Sequence, residues 1–247
     1  MNKYIFSGKI MKIFFLYIYS IIFWFFWWVI AIITISMGII IAFFLPRRFK
    51  NFIGKIISKI LLYCAFIIPK HKGINPKDLP FPVIFTPNHV SFFDLFLSGA
   101  VLPGYPRGLQ LKKFFPLPVY GWLISFFGMI PIETGSIKSV KNSFKKVLDI
   151  LNKKERNILI MPEGERTLTG NVNKFRSGAF LLSMKSGVPV VPVVFKGLFK
   201  INNRTGILIK PGIVDVVLLD PVYPKDFAHE YNMAEYVKDK IIEELKK

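Results

Sequence analysis

Acidic residues are scarce in this chain of 247: 15 Asp and Glu stand against 34 Lys and Arg, a formal net charge of +19. No acid precedes Asp78, whereas eleven Lys or Arg do. Such an excess suits two polyanionic partners, nucleic acid or an anionic membrane surface. Cysteine is rarer still. The single Cys64 permits no internal disulfide and has no basic or His neighbour in sequence to activate it, so it reads as an apolar packing residue. The three histidines, His71, His89 and His229, are too scattered for a metal-ligand cluster, and no metal is expected. Neither a G-x-S-x-G elbow nor a G-x-x-x-x-G-K-[ST] loop is present, which removes the usual support for serine hydrolysis or nucleotide-dependent chemistry. Zinc-finger spacing, a basic-region helix and an RNA-binding aromatic signature are missing as well. No nucleic acid is therefore expected, and the membrane surface remains.

What is present supports that choice. Hydrophobic residues make up 52% of the chain and mean hydropathy is +0.44, while charged residues still reach 20%. From Ile13 to Leu45 runs an uncharged stretch of 33 residues. As one helix it would be about 50 Å long, more than a hydrocarbon core of about 30 Å requires. Two arrangements stay open. One is a span from about Phe25 to Leu45, with Trp24, Trp27 and Trp28 at one interface and Arg47 and Arg48 at the other. The other is a hairpin dipping into one leaflet, with Lys9, Lys12, Arg47 and Arg48 on the same side. The following segment alternates Arg47, Arg48, Lys50, Lys55 and Lys59 with apolar residues at near-helical spacing, a pattern shared by an interfacial helix and by an amphipathic helix packed on the domain.

The chain divides accordingly into an anchor with interfacial helices (1–68), a linker rich in Lys, Pro and Asp (69–80) and an α/β domain (81–247). Within the domain, strand-like runs are Val83–Thr86, Gly108–Leu111, Met129–Ile132, Ile158–Met161 and Val190–Phe195. Helical stretches lie between them, notably Ser136–Asn152 and Gly178–Lys185, and a closing helix follows Ala234. GILIK and IVDVVLL flank Pro211-Gly212 as two strands about a turn. Alternation of this kind predicts a layered α/β sheet.

The chemistry concentrates in TPNHVSFFD, just after the first of these strands. His89 falls in a strand-to-helix turn and Asp94 in the first turn of the next helix. In a continuous helix, residues five apart diverge, but the turn lets the Asp94 carboxylate reach one imidazole nitrogen. The other nitrogen is then free to accept a proton. The rival reading makes the segment a helix N-terminus capped by Asn88 or Ser91.

This segment resembles the N-H-x4-D motif of the 1-acyl-glycerol-3-phosphate acyltransferase family. GMIPIET (Gly128–Thr134), MPEGERT (Met161–Thr167) and VPVVPV (Val188–Val193) are similar to the family's second, third and fourth blocks, in order. Lys112-Lys113, Phe175 and Gly178 fit as well, and the resemblance covers about residues 81–220. It implies an α/β acyltransferase domain behind an N-terminal helical membrane anchor. By resemblance, His89 is the general base that deprotonates an acceptor hydroxyl and Asp94 orients it. Attack on the thioester is direct. Glu163, Gly164 and Arg166 form the acceptor-binding block, an Arg suiting phosphate through its planar fork, and Lys112 and Lys113 add positive potential. The second block usually ends in Arg, where this chain has Thr134. Either Lys112, Lys113, Lys174 or Arg176 compensates, or the acceptor is another lysophospholipid or a lyso-aminolipid.

The implied partners are membrane lipids, a lysophospholipid acceptor and a donor, acyl-CoA or acyl-acyl carrier protein (acyl-ACP), with no bound cofactor. A reading of a different class is a catalytically idle membrane lipid-binding protein that keeps the fold. Heavy use of Lys, Ile, Asn and Phe is the composition of an AT-rich bacterial genome. The expected location is thus a bacterial inner membrane with the domain on the cytoplasmic face.

Overall fold

A computed structural model describes residues 2–46 and 49–247, with side chains described for all of these except 2–10, 12 and 13. Arg47 and Arg48, expected at a membrane interface, lie outside the described residues, as do the side chains of Lys9 and Lys12.

The uncharged run forms one unbroken helix, α1 (Asn2–Phe44), so no hairpin interrupts it. Its Phe14–Phe44 portion has a mean hydropathy of 2.4, long and apolar enough to cross a membrane. Yet one stripe of α1 is buried against the rest of the protein: Ser20, Phe23, Trp27, Ala31, Ile35, Gly38 and Ala42 recur every three or four residues. The Trp27 indole donates to the carbonyl of Leu61 at 2.9 Å, and the Trp24 indole to that of Ile207 at 2.6 Å. Trp27, expected at a membrane interface, is therefore internal and Trp24 half-buried, because Phe93 and Phe96 offer them an aromatic bed. Among the described residues the outward face, including Phe14, Ile22, Phe25, Ile33, Met37 and Ile40, is exposed, apolar apart from hydroxyls such as those of Tyr17 and Tyr19, and uncharged.

Helix α2 (Lys50–Cys64) turns back along α1, burying Ile53, Ile57, Leu61 and Leu62. A side chain at Gly38 of α1 would run into Ile57, so glycine there sets how closely the two helices approach.

The remaining elements are β1 (Ile67–Gly73), β2 (Ile84–Pro87), α3 (Asp94–Val101), β3 (Arg107–Leu111), α4 (Tyr120–Phe126), β4 (Ile130–Ile132), α5 (Ile137–Asn152), β5 (Ile158–Leu159), α6 (Gly178–Ser186), β6 (Val190–Lys196), α7 (Leu198–Ile201), β7 (Gly212–Leu218) and α8 (Glu230–Lys246). The strands form one sheet in the order β1-β7-β6-β2-β5-β3-β4, parallel except between β6 and β7. Alternate side chains feed two cores. Phe85, Val191, Val193, Val214 and Val216 join the layer of α1, α2 and α3, while Ile84, Val190, Val194 and Val217 join that of α5, α6 and α8.

Two expectations change. Residues 69–73 of the expected linker belong to β1, a polar edge strand carrying Pro69, Lys70 and Lys72 that pairs only with β7. Lys72 meets Asp215 across that pair at 2.8 Å. GILIK (206–210), expected as a strand, is irregular, because β1 and β6 already occupy both edges of β7. It packs on α1 instead, with the Ile209 amide donating to the Ser20 hydroxyl at 3.2 Å.

Candidate active site

All three polar motif blocks follow the C-terminal ends of neighbouring parallel strands. His89 follows β2, Lys112 and Lys113 follow β3, Glu133 and Thr134 follow β4, and Glu163 to Arg166 follow β5. In open α/β sheets this edge is where ligands gather.

The β2–α3 turn brings His89 and Asp94 together: Nδ1 lies 2.6 Å from Asp94 Oδ2. The same oxygen accepts the backbone amides of Val90 at 2.8 Å and Ser91 at 3.0 Å. Asp94 Oδ1 is buried with no partner among the described residues, so every bond holding this carboxylate runs through the atom that meets His89. Asp94 is 1% exposed and the His89 side chain 22%, an orienting group inside and an imidazole edge reachable from outside. A carboxylate only accepts, so Nδ1 carries the proton and Nε2 presents its lone pair.

His89 is also clamped through its backbone. Its amide donates to Glu163 Oε1 at 2.6 Å, and its carbonyl accepts from the Thr167 amide at 2.9 Å. Glu163 Oε2 accepts from the Asn173 amide at 2.8 Å. Burial pushes the Glu163 carboxyl above its ordinary range, against the pull of those two amides. Glu163, expected in the acceptor-binding block, has both oxygens taken by backbone amides and fastens the third-block loop to the His89 turn. Gly164, at φ +75°, turns that loop where the Arg176 guanidinium covers it; a Cβ there would lie 2.7 Å from Arg176 Nε.

Asn88 and Ser91 do not cap α3. The Asn88 carbonyl oxygen accepts from the Phe195 amide at 2.8 Å, extending the β2–β6 pairing by one side chain, and the Ser91 hydroxyl donates to Asn202 at 2.9 Å.

A family model described as "Acyltransferase" matches residues 72–196, just over half of the chain. The chain belongs to the acyltransferase family. It is 31% identical to the chloroplastic 1-acyl-sn-glycerol-3-phosphate acyltransferase BAT2 of Brassica napus over 72% of its own length and 51% of that protein. Identity to the 1-acyl-sn-glycerol-3-phosphate acyltransferase of Salmonella typhimurium is 23%, over 86% of this chain and 83% of that one. The chain spans about half the length of BAT2 and of the Arabidopsis thaliana LPAT1 protein, at 51% and 49%. The crystal structure of the 1-acyl-sn-glycerophosphate acyltransferase PlsC from Thermotoga maritima superposes with a TM-score of 0.81 over 94% of this chain and 96% of that one. At 19% identity that likeness speaks for the fold.

In this acyltransferase-family chain, Arg166 is half-buried on the rim of a cavity of about 470 Å³, beside Phe92 of the His89 turn and Trp24 and Trp28 of α1. Tyr120 stands in its field; burial pushes that phenol up to about 12, with the Arg166 charge opposing. Lys112 and Lys113 are exposed, Lys112 lying 3.5 Å from Glu133 and Lys113 over the Phe114 ring. Lys174 and Arg176 are exposed on the loop before α6, and Thr134 is exposed beyond β4 at the sheet edge. A second cavity, about 350 Å³, opens near Arg107, Gly128 and Lys146 and is lined by none of the polar site residues expected from sequence except Gly128's own block. Sequence reasoning did not single out Thr167, Asn173, Asn202 or Arg204, whose contacts with the motif loops arise only through the tertiary fold.

Proposed function

We propose that the chain is a membrane-bound O-acyltransferase that moves a fatty acyl group from a thioester carrier to the free 2-hydroxyl of 1-acyl-glycerol-3-phosphate, giving phosphatidic acid. The observation that carries this reading is the His89–Asp94 pair, with Nε2 unengaged by Asp94, at the strand edge where all the polar blocks converge. The names of the relatives support the acceptor. Nε2 takes the hydroxyl proton as the acceptor oxygen attacks the thioester carbonyl. The C–O bond forms, the C–S bond breaks, and the imidazolium returns its proton to the departing thiolate. Arg166 binds the phosphate, and Lys112, Lys113, Lys174 and Arg176 supply positive potential around it. The donor is acyl-CoA or acyl-ACP. The exposed apolar face of α1 rests in a bilayer, at a bacterial inner membrane with the site on the cytoplasmic side.

The test is an acyl-transfer assay on detergent-purified protein with both donor types and a panel of lyso-acceptors, beside His89→Ala. Selective acylation of 1-acyl-glycerol-3-phosphate, reduced by about 10²-fold or more in the variant, is the expected result. Preference for another lyso-lipid keeps the chemistry and changes the acceptor. No transfer to any acceptor sinks the enzyme reading in favour of a lipid-binding protein.

A further inference from the structure

The cavity beside the His89 turn has two unlike sides. Trp24 and Trp28 of α1, with Phe92 and Ile207, make one side apolar, continuous with the exposed outer face of the helix. Arg166 and Arg204 make the other side cationic. Arg204 belongs to the segment after α7, outside every motif block, and the Trp24–Ile207 hydrogen bond ties that segment to α1.

Arg204 Nη1 donates to the Arg166 carbonyl at 2.9 Å and to the Glu165 carboxylate at 2.8 Å. A guanidinium carries five N–H donors, and neither of these bonds uses those on Nε and Nη2. Glu165 offsets one of the two positive charges and is itself 61% exposed, so the rim keeps a net attraction for anions. An apolar wall leading toward the bilayer-facing side of α1, joined to a two-guanidinium rim, fits an amphiphile with one chain and a doubly charged head.

We infer that this cavity is the acceptor subsite and that Arg204 is the second phosphate-binding residue, gripping a phosphate monoester together with Arg166. The inference rests on the acyltransferase reading and deepens it. The charge expected at Thr134 comes instead from the opposite side of the site. A phosphodiester head carries one negative charge fewer, and its substituent occupies the position the second guanidinium would reach. The subsite therefore selects lysophosphatidate-type acceptors over zwitterionic lyso-lipids.

The experiment measures KM and kcat of the full chain for 1-acyl-glycerol-3-phosphate and for lysophosphatidylcholine, in wild type, Arg204→Ala, Arg204→Lys and Glu165→Gln. Arg204→Ala is expected to raise KM for the monoester about tenfold or more, the loss of one charge-assisted bond, with kcat within about twofold. Arg204→Lys recovers part of that loss, and Glu165→Gln leaves KM at or below wild type. An unchanged KM in Arg204→Ala overturns the inference. So does a Glu165→Gln variant that reproduces the Arg204→Ala defect, since Arg204 would then only brace the loop. If wild type acylates another lyso-lipid of the panel but neither of these two, the inference is overturned while the acyltransferase reading stands; if it acylates none of the panel, the acyltransferase reading itself fails, an outcome distinct from the others.

Discussion

Asp94 concentrates its work in one atom. Oδ2 receives the His89 ring and two backbone amides, so the turn and the imidazole are oriented by the same carboxylate. Asp94→Asn can keep one oxygen where the three donors meet but removes the negative charge that orients the imidazole and stabilises the imidazolium formed in the reaction. The expected outcome is a fall in kcat of about 10² to 10⁴-fold with acceptor KM within about twofold, measured by steady-state assay. An equal loss in KM would place Asp94 in acceptor binding instead. The pair was legible in the sequence because both partners lie within one turn, five residues apart. Glu163 was visible as a motif residue, but its partners, the amides of His89 and Asn173, are chosen by the fold. Arg204 carried no local signal at all: its neighbours Glu165 and Arg166 are nearly forty residues away in sequence.

Helix α1 packs into the protein beside the candidate site. Trp27 is 1% exposed and reaches Leu61 of α2, and Trp24 stacks on Phe93 at 5.8 Å, next to the β2–α3 turn. Trp27→Ala should cost about 3–5 kcal/mol, read by denaturant unfolding in detergent, and should loosen the wall that Trp24 and Trp28 give the cavity. A cost below about 1 kcal/mol would mean that α1 docks independently of this ring. Strands β2 to β6 were readable as short apolar runs bounded by turns. Strand β1 was not, because IIPKHKG looks like a connector until β7 lies beside it. GILIK had a strand's composition, but both sides of the neighbouring β7 were already taken. Composition gave each segment its preference, and the supply of vacant edges decided the outcome.

Across the whole molecule, the sheet separates two environments. The layer of α1, α2 and α3 carries the apolar outer face, whereas α5 on the opposite layer exposes Lys138, Lys141, Lys145 and Lys146. The large net charge is thus not all turned the same way as the apolar helix. Phe25 and Ile33 are 66% and 59% exposed and lie two turns apart on that helix. Replacing both with Lys should leave folding stability within about 1 kcal/mol, since each touches little of the protein. Vesicle partitioning should weaken by about 100-fold or more, because a charge at membrane depth costs roughly 2.5–3.5 kcal/mol. Cosedimentation with anionic liposomes reads this directly, and unchanged binding would show that this face stays out of the bilayer.

The pairing of β1 with β7 has a consequence in time. Residues 67–73 leave the ribosome early, already attached to two helices, yet their only strand partner, residues 212–218, is made last. During synthesis the amino-terminal helices are complete while this sheet edge is still open. The segment carrying Arg204 and Ile207 arrives in the same late stretch of chain. The amino-terminal helices therefore wait for their sheet, and closure of β7 on β1 is the event that completes both the sheet edge and the Arg204–Ile207 side of the cavity.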